Sequence, residues 1–222
     1  MPVKNLASIQ ETNQTPFGPL ARSSMAGLFF SYYNIKMQTI EFNTVSLFPT
    51  LVGSCFNVPL ADKVLPFAEE VLSDPQYVSN TWDYNNTYDR VAPDTIIYRE
   101  LESFIWDVSR SFLDQLKIKD KLRRSNIFFS SMKPGDCHQT HTHPNAILSG
   151  VFYLNVPSDS SSLRFYDPRP YKDIIGYKTD HPYLTCDIKP QKGLFLIWQS
   201  WFPHEVLKNS SYGRTTAVFN LK

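Results

Sequence analysis

Apolar residues change their spacing twice along this chain. Residues 1–36 are rich in Ser, Thr, Asn, Gln and Pro and keep neither a period of two nor one of 3.6, so they read as a poorly ordered extension. Met25 and Met37 both precede more regular sequence, and Met37 is one expected natural start. From Val45 to Val58 the chain is apolar and β-prone, after which Leu60, Val64, Leu65, Ala68, Val71 and Leu72 fall at helical spacing. A strand followed by a helix is predicted, with Pro66 straining the helix. Residues 73–93 collect Asp, Asn, Tyr, Thr and Pro and read as a loop. Asp94 is the expected cap of a second helix, whose apolar face runs Ile97, Leu101, Phe104, Ile105, Val108, Phe112, Leu116. Beyond the basic segment Lys117 to Arg124 the helical spacing stops. Eight short β-type runs follow, 127–132, 137–143, 148–156, 163–166, 184–188, 194–199, 204–207 and 214–221, separated by turn residues. Eight strands behind two helices predict a mainly β fold, a jelly roll with supporting helices on one sheet.

Composition narrows this picture without changing it. With 222 residues and 42% apolar content, the chain is long enough for one well-buried core, expected as a single domain over 37–222. Twenty-two basic and 21 acidic residues leave a net charge of +1, so no broad field favours nucleic acid or a membrane surface. The apolar stretch Ala26 to Tyr33 is too short to span a bilayer and lacks the flanks of a signal peptide. Cys55, Cys137 and Cys186 are odd in number, widely spaced and without a C-x-x-C pair, which argues against a disulfide framework and fits a reducing cytoplasm.

The chemistry concentrates in the histidines. His138, His141 and His143 lie in one predicted strand and His204 lies about sixty residues later. Residues two apart on a strand share a face about 6.6 Å apart, so His141 and His143 can converge on one ion while His138 points the other way. A third ligand from another strand, His204 after Trp201-Phe202-Pro203, would complete a facial set and leave roughly three octahedral positions open. A His-x-His before Pro144-Asn145 also reads as a polar turn. Arg214 follows ten residues after His204 at the head of an alternating strand, where a guanidinium could bind a dicarboxylate, or could pair with an acid at the surface.

The motifs Ser79-Asn80, His141-Thr-His143-Pro-Asn145, Leu148-Ser-Gly-Val-Phe-Tyr-Leu-Asn155, Phe165-Tyr-Asp-Pro-Arg169, Pro190-x-x-Gly193, Trp201-Phe-Pro-His204 and Arg214 to Asn220 occur in this order between Phe48 and Asn220. Together they resemble the 2-oxoglutarate and iron(II)-dependent dioxygenase superfamily, in particular a small group of oxygenases from phages and marine bacteria. The resemblance implies a double-stranded β-helix core of the cupin-like kind, with iron(II) as metal and 2-oxoglutarate as cosubstrate. It also implies a hydroxylase coupling decarboxylation of 2-oxoglutarate to oxidation of a substrate C–H bond. Carried over, His141 is the first ligand, His204 the distal ligand and Arg214 the cosubstrate anchor. The superfamily's His-x-Asp or His-x-Glu is His-x-His here, so the resemblance leaves three ligand sets open: His143 as third ligand, a carboxylate such as Asp167, or water beside two histidines.

Around this set, Tyr153 and Asn155 share a face and are candidates to hydrogen-bond 2-oxoglutarate, with core packing the other role open to Tyr153. Gln139 shares the face of His141 and is a candidate to line the pocket. Asp167 and Arg169 form either part of the site or a rigid turn with a surface ion pair. Trp198 and Trp201 are expected in the core and His181 in an exposed loop. Two other functions compete: a three-histidine iron dioxygenase that needs no 2-oxoglutarate, and a non-enzymatic jelly-roll interaction or virion protein. The loops 73–93 and 168–182 are where substrate choice is expected to reside.

Overall fold

The computed structural model describes residues 49–79, 81–119, 121–123, 125–169 and 184–222. The expected extension at 1–36, Met37, the start of the 45–58 strand, Phe48, Asn80, Arg124, and most of the 168–182 loop with His181 lie outside them.

The first predicted strand–helix pair is β1 (Val52–Phe56) and α1 (Val58–Ser73). Asn57 opens the helix by accepting from the Leu60 amide at 3.1 Å, and the helix continues through Pro66 to Ser73. Within the expected loop lies a two-residue strand, β2 (Asn85–Asn86). The second helix, α2 (Ile96–Leu116), corrects the expected cap: Thr95 accepts from the Tyr98 amide at 3.1 Å, while Asp94 instead receives Arg99 Nε at 2.6 Å. Both are cap residue types one position apart, so composition alone does not separate them.

Eight strands follow: β3 (Ser125–Met132), β4 (His138–His141), β5 (Leu148–Asn155), β6 (Leu163–Tyr166), β7 (Thr185–Ile188), β8 (Leu194–Gln199), β9 (His204–Val206) and β10 (Arg214–Leu221). All pairings are antiparallel, in a six-stranded sheet β1-β8-β5-β10-β3-β2 and a four-stranded sheet β4-β9-β6-β7. This is the jelly roll the strand pattern predicts.

The large sheet serves two cores. Phe129, Phe152, Phe195, Ile197 and Phe219 pack with the apolar faces of the two helices, among them Val64, Ala68, Leu101, Ile105 and Phe112. The alternate positions Val151, Tyr153, Leu196 and Trp198 turn inward and meet Leu163, Phe165 and Phe202. Period-two alternation therefore sorts one face to the helices and the other to the interior between sheets. β5 and β8 are buried on both faces, which explains their continuous apolar runs. Trp198 is in this inner core, but Trp201 is 50% exposed and corrects the expectation that both tryptophans are buried.

Gly150 sits where β5 passes beneath Phe219, and any Cβ there would overlap both the Phe219 ring and the Leu196 carbonyl. The ring is fully buried and the carbonyl is backbone, so neither has room to yield. Gly150→Ala should therefore destabilise the fold by at least about 2 kcal/mol in urea denaturation; a cost near zero would show that the sheet relaxes freely at this crossing.

A three-histidine cavity as the candidate metal centre

β4 and β9 pair so that His141 faces His204 directly. β4 then ends, and Pro144-Asn145 turns the chain, with Asn145 in the left-handed region at φ 63. That turn is fixed from the other side: the His143 amide donates to the Ser200 carbonyl at 2.9 Å, and the Ser200 amide donates to the Ile147 carbonyl at 3.0 Å. A buried hydroxyl contact between Ser149 and Ser200 at 2.7 Å, with Ser149 also donating to Asn220 Oδ1, locks the same corner. His143 is thus brought to the other two by a turn and not by strand alternation. The ligand-capable atoms of His141, His143 and His204 all lie within 4.8 Å of one another.

Backbone carbonyls set the tautomers of two of them. His141 Nδ1 lies 2.7 Å from the Gln139 carbonyl and His204 Nδ1 lies 2.8 Å from the Phe202 carbonyl. A carbonyl can only accept, so both rings carry hydrogen on Nδ1 and offer the Nε2 lone pair to an ion. His143 Nε2 is 3.2 Å from His204 Nε2, the separation of two nitrogens turned toward a common point. Burial holds His204 at about 3 and His143 at about 4, with nearby imidazoles pushing the same way. His141 is also lowered by burial, against the opposing pull of the Gln139 carbonyl. At neutral pH all three are unprotonated, as metal ligands must be.

The histidines open onto a cavity that Tyr153, Leu163, Trp198 and Val218 also line. Arg214 reaches it from the head of β10 and is only 2% exposed. Its guanidinium has Met132 Sδ at 3.5 Å and lies 5.3 Å over the Tyr153 ring, yet its Nε has no partner and no carboxylate pairs with it among the described residues. The Tyr153 hydroxyl, fully buried, lies beside Arg214 and has no other partner among them. A buried cation and a buried hydroxyl left open beside one cavity form a receptor for an anion. With three neutral imidazoles at the other end, the cavity suits a small molecule bearing a metal-chelating group and a distal carboxylate. The residues therefore fit iron(II) and a 2-oxo dicarboxylate.

The remaining candidates divide differently. Asn155 does not line the cavity; it donates to the Gly213 carbonyl at 2.8 Å and so tethers the turn before Arg214. Gln139 is exposed and contributes its carbonyl to His141 instead of its side chain to the pocket. Asp167 accepts from Arg169 Nε at 2.9 Å and stands outside the histidine group, and neither residue lines the cavity. Cys137 and Cys186 are exposed free thiols and Cys55 is a half-buried one.

Sequence reasoning missed His138. A bulge between His138 and His141 breaks the alternation of β4, and the two rings stack 3.9 Å apart at 17°. His138 also meets the Tyr84 hydroxyl at 3.0 Å and the Trp82 ring at 4.8 Å. Both aromatics come from the stretch read only as a loop.

Residues 126–220 match the profile of a family described as "Putative 2OG-Fe(II) oxygenase". Among solved structures, a Pseudomonas putida prolyl-4-hydroxylase aligns with a TM-score of 0.60 at 14% identity, covering 78% of this chain and 92% of that one. A Trichoplax adhaerens prolyl hydroxylase, solved with a hypoxia inducible factor peptide fragment, gives 0.59 at 14% identity, covering 77% and 82%. The viral collagen prolyl hydroxylase of Paramecium Bursaria Chlorella virus-1, solved as a 2OG complex, gives 0.51 at 16% identity, covering 77% and 94%. These likenesses establish the double-stranded β-helix fold. No curated protein sequence matches the chain. No helix among the described residues is long and apolar enough to cross a membrane.

The depressed histidines make a measurable demand on the metal-free protein. In the unfolded chain they protonate near the ordinary 6.5, whereas in the fold His143 does so only near 4 and His138 and His204 near 3. As pH falls through 6.5 the unfolded state takes up protons first, so stability that is full above that pH is lost toward the folded values. Chemical denaturation in chelator should show stability dropping from pH 7 to 5.5 by on the order of 1 kcal/mol or more; a flat profile would mean that the rings are not held neutral.

Proposed function

We propose, from the premise that residues 126–220 are a 2OG-Fe(II) oxygenase region, that the chain is a hydroxylase with iron(II) on His141, His143 and His204 and 2-oxoglutarate anchored on Arg214. The observation that carries this reading is the buried, unanswered guanidinium of Arg214 across one cavity from three convergent histidines. Iron(II) and 2-oxoglutarate are the cofactors of this class, and with dioxygen they supply oxidation of a substrate C–H bond, leaving succinate and carbon dioxide.

The protein's own part is positioning and dryness. The two carbonyl-fixed histidines present lone pairs without a rotamer search, and the His143 turn closes the third side. Arg214 offers the distal carboxylate a charge-assisted contact in a setting already stripped of water, with the Tyr153 hydroxyl beside it as a second donor. Val151, Leu163, Trp198 and Val218 wall the cavity with apolar surface, which excludes solvent from the reacting centre. Three imidazoles carry no charge, so the ferrous site retains both positive charges until a dianion arrives. That raises its demand for 2-oxoglutarate relative to a site holding a carboxylate ligand.

The competing three-histidine dioxygenase would use the same ligands and give Arg214 to an anionic substrate. One titration separates the two. Under anaerobic conditions, 2-oxoglutarate added to the iron(II)-loaded protein should raise a visible charge-transfer band, and Arg214→Ala should weaken its binding on the order of 100-fold. A band absent despite bound iron favours the competitor. His141→Ala, His143→Ala and His204→Ala should each lower iron(II) affinity by roughly 100-fold or more by direct metal titration; unchanged affinity in the His143 variant would remove that residue from the ligand set.

A further inference from the structure

His138 stands outside the metal group, yet it lines the same cavity. Its ring is clamped: His141 stacks on one side at 3.9 Å, and Trp82 lies against it at 4.8 Å. Its Nδ1 faces the Tyr84 hydroxyl at 3.0 Å, and Tyr84 is itself 7% exposed and stacked on Trp82 at 5.5 Å. The rings of Trp82, Tyr84 and His141 thus fix an imidazole that is not a ligand, directly against one that is.

The hydrogen bond decides what this imidazole shows the cavity. A phenol is the better donor of the pair and an imidazole lone pair the better acceptor, so Tyr84 donates and Nδ1 accepts. A neutral imidazole with Nδ1 unprotonated carries its hydrogen on Nε2. Among the described residues no partner engages Nε2. We propose that Tyr84 and His138 form a dyad that presents a fixed Nε2–H beside His141 as a hydrogen-bond donor to the metal-chelating carboxylate of 2-oxoglutarate. His138 is then a cosubstrate-binding residue and Tyr84 the positioning residue behind it. Arg214 holds one end of the dicarboxylate and the dyad the other. Because the third ligand is a neutral histidine, a donor aimed at the carboxylate end adds polarity that the ligand set does not bring.

The inference rests on the function proposed above, and the anaerobic titration distinguishes the two failures. If the wild type binds iron(II) but forms no charge-transfer band with 2-oxoglutarate, the proposed function falls and this inference with it. If the band forms, its dissociation constant is compared in His138→Phe, His138→Gln and Tyr84→Phe. Phenylalanine keeps the stack without the donor, and glutamine restores an N–H at a similar reach. The expected result is about tenfold weaker 2-oxoglutarate binding in His138→Phe, substantial recovery in His138→Gln and an intermediate loss in Tyr84→Phe, with iron(II) affinity unchanged throughout. Equal affinity in wild type and His138→Phe overturns the inference, and so does equal loss in the phenylalanine and glutamine variants, which assigns His138 to packing alone. If His138→Phe does not fold, Tyr84→Phe decides by the same criterion. Independently, nitrogen-15 correlation spectra of the histidine rings in the metal-free full chain should show His138 as the Nε2–H tautomer; an Nδ1–H tautomer overturns the dyad.

Discussion

A guanidinium inside a β sandwich is stable only where something balances its desolvation, and the described residues of this chain supply no acid to do so. Arg214 is enclosed by Tyr153, Met132 and the head of β10, with a sulfur and an aromatic face as neighbours. Both soften the burial of a cation and neither neutralises it. Among the described residues the guanidinium thus keeps its capacity for an anion. Neutral histidines at the far end, apolar walls between, and the buried Tyr153 hydroxyl beside the cation all suit the anion of the proposed function. In the function proposed above, the carboxylate held by Arg214 would also satisfy the buried donors, so that ligand binding and structural integrity become one event at this place.

The site is assembled from parts of unequal rigidity. His204 and Arg214 sit on strands of different sheets, each held by pairing on both sides. His143 sits after the last residue of β4, and its position depends on a Pro-Asn turn and the Ser149–Ser200–Asn220 network behind it.

Much of this was legible from residue order. Period-two runs broken by turn residues locate β3 to β10 to within a residue or two, because burial on one or two faces leaves a strong imprint in apolar spacing. His141, His204 and Arg214 stand out because the ten-residue interval places two of them at adjacent strand starts. What could not be read is where alternation breaks. The bulge in β4 carries His138 to the side of His141, against its parity, and nothing in the residues 138–141 announces it. Likewise Gln139 has the right parity but lies at an exposed edge, and Asn155 commits its amide to Gly213. β2 is two residues long, too short for any periodicity to register, yet it places Tyr84.

The division of the large sheet into two faces has a further consequence. Helix-facing positions such as Phe152, Phe195 and Phe219 and cavity-facing positions such as Val151, Trp198 and Val218 alternate along the same strands but belong to separate packing clusters. Volume exchanged on the inner face is therefore felt by the chemistry and hardly at all by the helices, while the outer face sustains the scaffold. Exchanges in that single inner layer reshape the cavity, while the outer layer goes on holding the helices.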